Sequence, residues 1–266
     1  MNANELLARL GSSEVRKASI LVLGGTGISM WTYYPFLRHF SLSELAEFSA
    51  IYGISGGAAC LWYYGLQQIG LFEDTHIVDY EPAIRTLNNG TVCGRLWGLM
   101  RNSYIYETQR LADGIEKLAS PKGRHLTFSE FPLANFTAAA HDYINHRLIL
   151  LNRTATPTLS MGDAMASVSA PRVLFGRRFS RPIRFAKFGI SDLDFAGAAL
   201  RGQFKALVKA EDRPIYWLNI YFSADKDHVT YVKLSRDRWP RAGQLYDMLM
   251  FFCGIPNTRL YSASVG

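Results

Sequence analysis

Ile51-Tyr52-Gly53-Ile54-Ser55-Gly56-Gly57-Ala58 sets one serine between glycines, at the end of one apolar run and the start of another. The first run is short and β-branched, which suits a buried strand, and the second is long enough for a helix. A strand that enters a helix through so tight a turn forces its central residue into strained φ/ψ. The residues two positions either side must then be glycine, or nearly so. The helix that follows aims its unpaired N–H groups and the positive end of its dipole at the serine oxygen. Ser55 is therefore the candidate nucleophile. The competing reading is a glycine-rich turn in which Ser55 serves only as a helix N-cap.

Outward from this stretch the same unit recurs. Ser19-Ile20-Leu21-Val22-Leu23 reads as a fully buried strand ending in the loop Gly24-Gly25-Thr26-Gly27. Asn4–Leu10 reads as a short helix, as do Tyr33–Phe40 and Leu42–Phe48 before the strand Ala50–Tyr52, and Ala58–Ile69 reads as the helix after Ser55. Two strand–helix units in succession imply a parallel sheet. Residues 79–122 are helical and irregular in pattern, consistent with a cap over a site. Leu133–His141 and Leu148–Leu151 read as a hairpin, and Leu159–Ser169 as a helix stopped by Pro171. Ile183–Phe188, Ile215–Phe222 and Val229–Leu234 read as strands, the last two around the charged loop Asp225-Lys226-Asp227-His228. No repeat, low-complexity tract or linker divides the 266 residues, so a single α/β domain is expected.

Composition bounds the rest. A hydrophobic content of 48% supports a full core, and a formal net charge of +7 favours anionic partners such as a lipid headgroup, an acyl carrier protein or a nucleic acid. Cys60, Cys93 and Cys253 are odd in number, far apart and set in apolar surroundings, which reads as reduced core thiols in a reducing, cytoplasmic compartment. The start shows no basic stretch leading to an apolar run, so no signal peptide is read. Ala18–Leu37 and Phe48–Phe72 reach membrane-spanning length, but glycines inside each run divide it into a strand and a helix.

Taken in order, the glycine loop Gly24–Gly27, Gly53-Ile54-Ser55-Gly56-Gly57, the hairpin strand Phe136-Thr137-Ala138-Ala139-Ala140-His141-Asp142 and Met165-Ala166-Ser167-Val168-Ser169-Ala170-Pro171-Arg172-Val173-Leu174-Phe175 resemble the patatin-like phospholipases over roughly Ile20 to Leu200. The resemblance implies a three-layer fold with a central, mostly parallel sheet, flanking helices and a nucleophile elbow. It implies acyl transfer through Ser55 and an aspartate, with backbone N–H groups of Gly24, Gly25, Thr26 and Gly27 as the oxyanion hole and no metal or nucleotide cofactor. The substrate class would be a lipid ester or an acyl thioester. Asp194 is taken as the base, after the strand at Phe185–Phe188. It is followed by Phe195-Ala196-Gly197-Ala198 rather than directly by glycine, and Asp192 is its rival.

Other chemistry competes for the same residues. His228 permits a Ser, Asp, His order. The Gly24–Gly27 loop also suits the phosphate turn of a dinucleotide-binding dehydrogenase, with Glu44 or Glu47 spaced to hold a ribose, although Met30 stands where a third glycine belongs. A patatin-like binding protein without turnover is a further alternative. His141 and His146 lack partners at metal-ligand spacing. Arg172, Arg177, Arg178, Arg181, Arg184 and Lys187 form a basic stretch that would meet an anionic membrane surface or an acyl carrier protein, or simply solvent. Trp62, Tyr63, Tyr64, Trp97 and Phe252 read mostly as core, with an acyl tunnel as the functional alternative.

Overall fold

The structure is a computed structural model describing residues 1–71, 93, 96, 97, 100, 126–142, 147–169, 183–185, 189–191, 193–195, 198–236 and 238–253. The chain opens with α1 (Ala3–Leu10) and α2 (Ser13–Ala18). Asn2 caps α1 in a capping box with Glu5, and Ser12 caps α2. β1 (Ile20–Leu23) leads through Gly24–Thr26 into a 3-10 helix (Gly27–Tyr33), then α3 (Tyr34–Leu37), α4 (Leu42–Ala46), β2 (Ala50–Ile54) and α5 (Gly56–Gln68). The two long apolar runs are thus each divided at their glycines, as expected. Among the described residues no helix is long and apolar enough to cross a membrane.

β3 (Phe136–Asp142) and β4 (Arg147–Asn152) form the expected hairpin, followed by α6 (Met161–Ser169). β5 (Ile183–Phe185) and β6 (Gly189–Ser191) pair with each other, and β7 (Leu193–Phe195) joins the main sheet. α7 (Ala198–Lys209), β8 (Ile215–Asn219), β9 (Ala224–Lys226), β10 (Val229–Lys233) and α8 (Pro240–Cys253) complete the chain. β8 stops short of the expected Phe222 because the Asn219 side chain accepts the Tyr221 and Phe222 amides at 2.7 and 2.9 Å, an Asx turn that curls the chain off the sheet. The loop expected at Asp225–His228 is in part strand β9, paired antiparallel with β10.

The main sheet runs β4-β3-β2-β1-β8-β10-β9. Its five inner strands are parallel, and β4 and β9 lie antiparallel at the edges. This is a mixed α/β fold, and the burial pattern explains it. All four residues of β1 are buried, Leu21 and Leu23 in one apolar cluster and Ile20 and Val22 in another. A strand covered on both faces has no wet side to mark with polar residues. The first cluster gathers α1, α3, α4, α5 and α6 on one face, and the second packs Phe204 and Val208 of α7 beneath Tyr52 and Trp217 on the other.

Two expectations need correction. Cys60 is buried in α5, but Cys93 is exposed and so is not a core thiol. Trp62, Tyr63 and Tyr64 are core, whereas Trp97 is exposed and so is not core. The expected cap at 79–122 lies outside the described residues apart from 93, 96, 97 and 100, and the Phe252 side chain lies outside them too.

Candidate active site

Ser55 occupies the junction of β2 and α5 with φ 52° and ψ −126°. An L-residue is strained in that region, at a cost of order 1–3 kcal/mol. Both flanking glycines are needed for the turn to close. A Cβ on Gly53 would stand 2.5 Å from the Ala58 Cα, and one on Gly57 would stand 2.4 Å from the Leu23 carbonyl oxygen and 2.7 Å from that of Gly24. These contacts bring α5 directly onto β2 and onto the end of β1. Ser55 is buried, yet its side chain does not cap α5. The capping role that competed for this serine is therefore absent. α5 starts at Gly56, so its unpaired first amides crowd around the serine.

The glycine loop lies against the same spot. A Cβ on Gly25 would sit 3.5 Å from the Ser55 Cβ, in ordinary contact, so the Gly25 backbone faces the serine side chain. Gly24 is committed elsewhere: its N–H donates to the Leu218 carbonyl at 3.0 Å, extending the β1–β8 ladder by one residue. The Gly24 carbonyl accepts the Tyr33 hydroxyl at 2.7 Å. Across a trans peptide the next N–H points the opposite way, so the Gly25 amide is turned away from Tyr33. Burial pushes the Tyr33 phenol well above its ordinary pKa, which keeps it a donor at any physiological pH. Sequence reading gave Tyr33 no role beyond its helix. Its only signal was a tyrosine one 3-10 helix downstream of the glycines, and that role depends on the β1–β8 pairing.

Asp194 follows β5, with β6 between them, and lies within β7, which pairs antiparallel with β3. The register is informative. β2 pairs with β3 as far as Ile54 opposite Ala139, and β7 takes the same edge of β3 immediately beyond, with Phe195 opposite Ala140 and Asp194 opposite His141. Ile54 and Asp194 thus stand opposite positions two residues apart on β3, about 7 Å along the strand. α6 packs against both α5 and β7 from one face. Asp192 lies outside the described residues, as do Arg172, Arg177, Arg178, Arg181 and Lys187 of the basic stretch, the Arg184 side chain and His146.

His228 is at the wrong end of the sheet for a triad. Its carbonyl accepts the Ile215 amide at 2.9 Å, and Ile215 pairs with Ile20 at the start of β1, whereas Ser55 follows the far end of β2. The dinucleotide reading fails on the same geometry, because the ribose acid must sit at the C-terminal end of the second strand. Glu44 and Glu47 precede β2. Glu44 completes the capping box of α4 with Ser41, and Glu47 accepts the Arg16 guanidinium at 2.8 Å. Among the described residues no group of His, Cys, Asp and Glu side chains gathers as a metal site.

No family model matches the chain, and no curated protein matches it. Among solved structures it is similar to the type III effector protein ExoU at 15% identity and a TM-score of 0.33, over 94% of this chain and 53% of that one. The chain thus spans about half the length of that effector.

Proposed function

We propose that the chain is a patatin-like serine acyl hydrolase or acyltransferase acting on a lipid ester or acyl thioester through Ser55 and Asp194. The observation that carries this reading is the strained backbone of Ser55, φ 52° and ψ −126°, in a serine that does not cap the helix it precedes. Such strain is retained where the turn aims a side chain. The Asp194 carboxylate takes the proton of the Ser55 hydroxyl as its oxygen attacks the acyl carbonyl. The carbonyl electron pair moves onto oxygen, where the Gly25 N–H and the adjoining loop amides stabilise the oxyanion, each donor lowering the barrier by about 3 kcal/mol. The tetrahedral intermediate collapses, the bond to the leaving oxygen or sulfur breaks, and Asp194 returns the proton to that atom. Water or an alcohol then takes the acyl group from Ser55 by the same steps in reverse.

Labelling with a fluorophosphonate probe tests the assignment. Ser55→Ala abolishes labelling, Asp194→Asn slows it strongly, and His228→Ala leaves it at the wild-type rate. Labelling that persists in Ser55→Ala overturns the nucleophile, and wild-type labelling in Asp194→Asn with loss in Asp192→Asn transfers the base to the neighbouring carboxylate.

A further inference from the structure

Among the described residues, α8 carries large apolar side chains outward. Trp239, just before its first turn, is 71% exposed, and Leu245, Leu249 and Tyr246 are 61%, 54% and 45% exposed. At 100° per residue Leu245, Leu249 and Tyr246 fall within one arc of about 100°, and the buried Gly243 lies outside it. A helix face turned to solvent is ordinarily polar. Cations flank the arc: Lys233, Arg236, Arg238 and Arg241 stand within nine residues that contain a single acid, Asp237. The Arg238 guanidinium lies 6.0 Å from the Trp239 ring centroid, and that of Arg241 lies 6.0 Å from the ring of Tyr221, next to the exposed Phe222.

The sheet fixes where this surface lies. Leu23 pairs with Leu218, and Asn219 pairs with Lys233, so the segments leaving β1, β8 and β10 all emerge at the end of the sheet where Ser55 sits. α8 packs on the 3-10 helix that follows the glycine loop. Phe222, Trp239, the outward arc of α8 and its arginines therefore share the end of the molecule that holds the candidate active site.

We propose that this surface docks the protein onto an anionic lipid surface, with the α8 arc in the headgroup–acyl boundary and Arg236, Arg238 and Arg241 on the phosphates. An outward tryptophan, tyrosine and leucine arc with arginines beside it is the composition of a helix that lies in a membrane interface. Each arginine that reaches the headgroups strengthens binding about fivefold, and the contribution weakens in salt. The docking is separate from the chemistry at Ser55 and is read without turnover.

Sedimentation with vesicles of phosphatidylcholine, with or without phosphatidylglycerol, tests it. The protein is expected to pellet with the anionic vesicles far more than with neutral ones. Arg238→Gln/Arg241→Gln lowers that binding by more than tenfold, Leu245→Ser/Leu249→Ser abolishes it, and Ser55→Ala leaves it unchanged. In a Trp97→Phe background, which removes the other exposed tryptophan, Trp239 emission shifts to the blue and is quenched by brominated lipid. That readout needs no change to the docking surface, so it decides the matter even where a variant fails to fold. Equal binding to both vesicle types, wild-type binding by the leucine variant, or an unquenched Trp239 overturns the proposal. So does a dimer in sedimentation velocity that the leucine changes dissociate without any vesicle binding, because a second copy would then be the occupant.

Discussion

The Tyr33 hydroxyl donates to the carbonyl of Gly24 at 2.7 Å and lies 3.2 Å from that of Leu218, tying the glycine loop to a strand nearly two hundred residues away in sequence. The loop is therefore not a flexible glycine tract. Its first peptide is clamped from one side by the β1–β8 ladder and by a fully buried phenol, and its second residue is left facing Ser55. Preorganised amides cost no rearrangement when charge develops.

Tyr33→Phe removes this clamp without changing the ring. Leaving the Gly24 carbonyl short of a buried partner costs about 1–3 kcal/mol of stability. The fluorophosphonate labelling rate should fall at temperatures where circular dichroism shows the variant fully folded, with kcat on a soluble ester reduced more than KM is changed. Loss of stability with an unchanged labelling rate would leave Tyr33 a core residue only.

The three glycines around Ser55 should respond differently to alanine. At Gly57 the new methyl meets the Leu23 and Gly24 carbonyl oxygens, and at Gly53 it meets the Ala58 backbone, so neither obstacle can swing aside. Overpacking of this kind costs about 1–3 kcal/mol or more. Both variants are expected to lose stability in urea titrations. Gly25→Ala places its methyl at ordinary contact distance from Ser55, so it should fold with near-wild-type stability while labelling drops.

Two carboxylates near β2 should make the fold sensitive to acid. Hydrogen bonds from Ser41 hold the Glu44 carboxyl below its usual range, and the Arg16 guanidinium does the same for Glu47. A carboxyl depressed in the folded state adds stability above its unfolded pKa of about 4.3, and that stability is lost as pH falls through the folded value. The urea midpoint should therefore decline below about pH 4. In Arg16→Met the slope of that decline should flatten, because Glu47 loses the partner that lowers it; an unchanged slope would remove Glu47 from the account.

What the sequence made legible, and what it did not, divides by range. β1, β2 and their glycine turns could be read because a buried parallel strand, a tight turn and a helix start each leave a local mark, and the β3–β4 hairpin likewise. The neighbours of β1 left none. Nothing in Ile215–Asn219 says that it lies beside Ile20–Leu23, so neither the use of the Gly24 amide nor the role of Tyr33 could be anticipated. β7 is three residues long, too short for periodicity to register, and its place on the β3 edge beyond Ile54 follows from where β2 ends. Glu44 and Glu47 were spaced correctly for a ribose in sequence and are placed wrongly in space, since spacing does not say at which end of a strand a residue falls.

Ser55→Gly tests the strain directly. At φ 52° and ψ −126° glycine is unstrained whereas serine is not. Ser55 makes no cap that the change would remove, and the hydroxyl lost is small. Relief of strain, less the entropy that glycine adds to the unfolded chain, should leave the variant more stable by about 1 kcal/mol. Ser55→Ala keeps the Cβ and so keeps the strain, and its stability should remain near wild type. Both variants lose labelling. A stability–activity opposition of this form, read by urea midpoints against probe incorporation, would mark Ser55 as a residue held in place for its chemistry. If Ser55→Gly is instead the less stable of the two, the turn is not strained and the serine's conformation gives no support to a nucleophile.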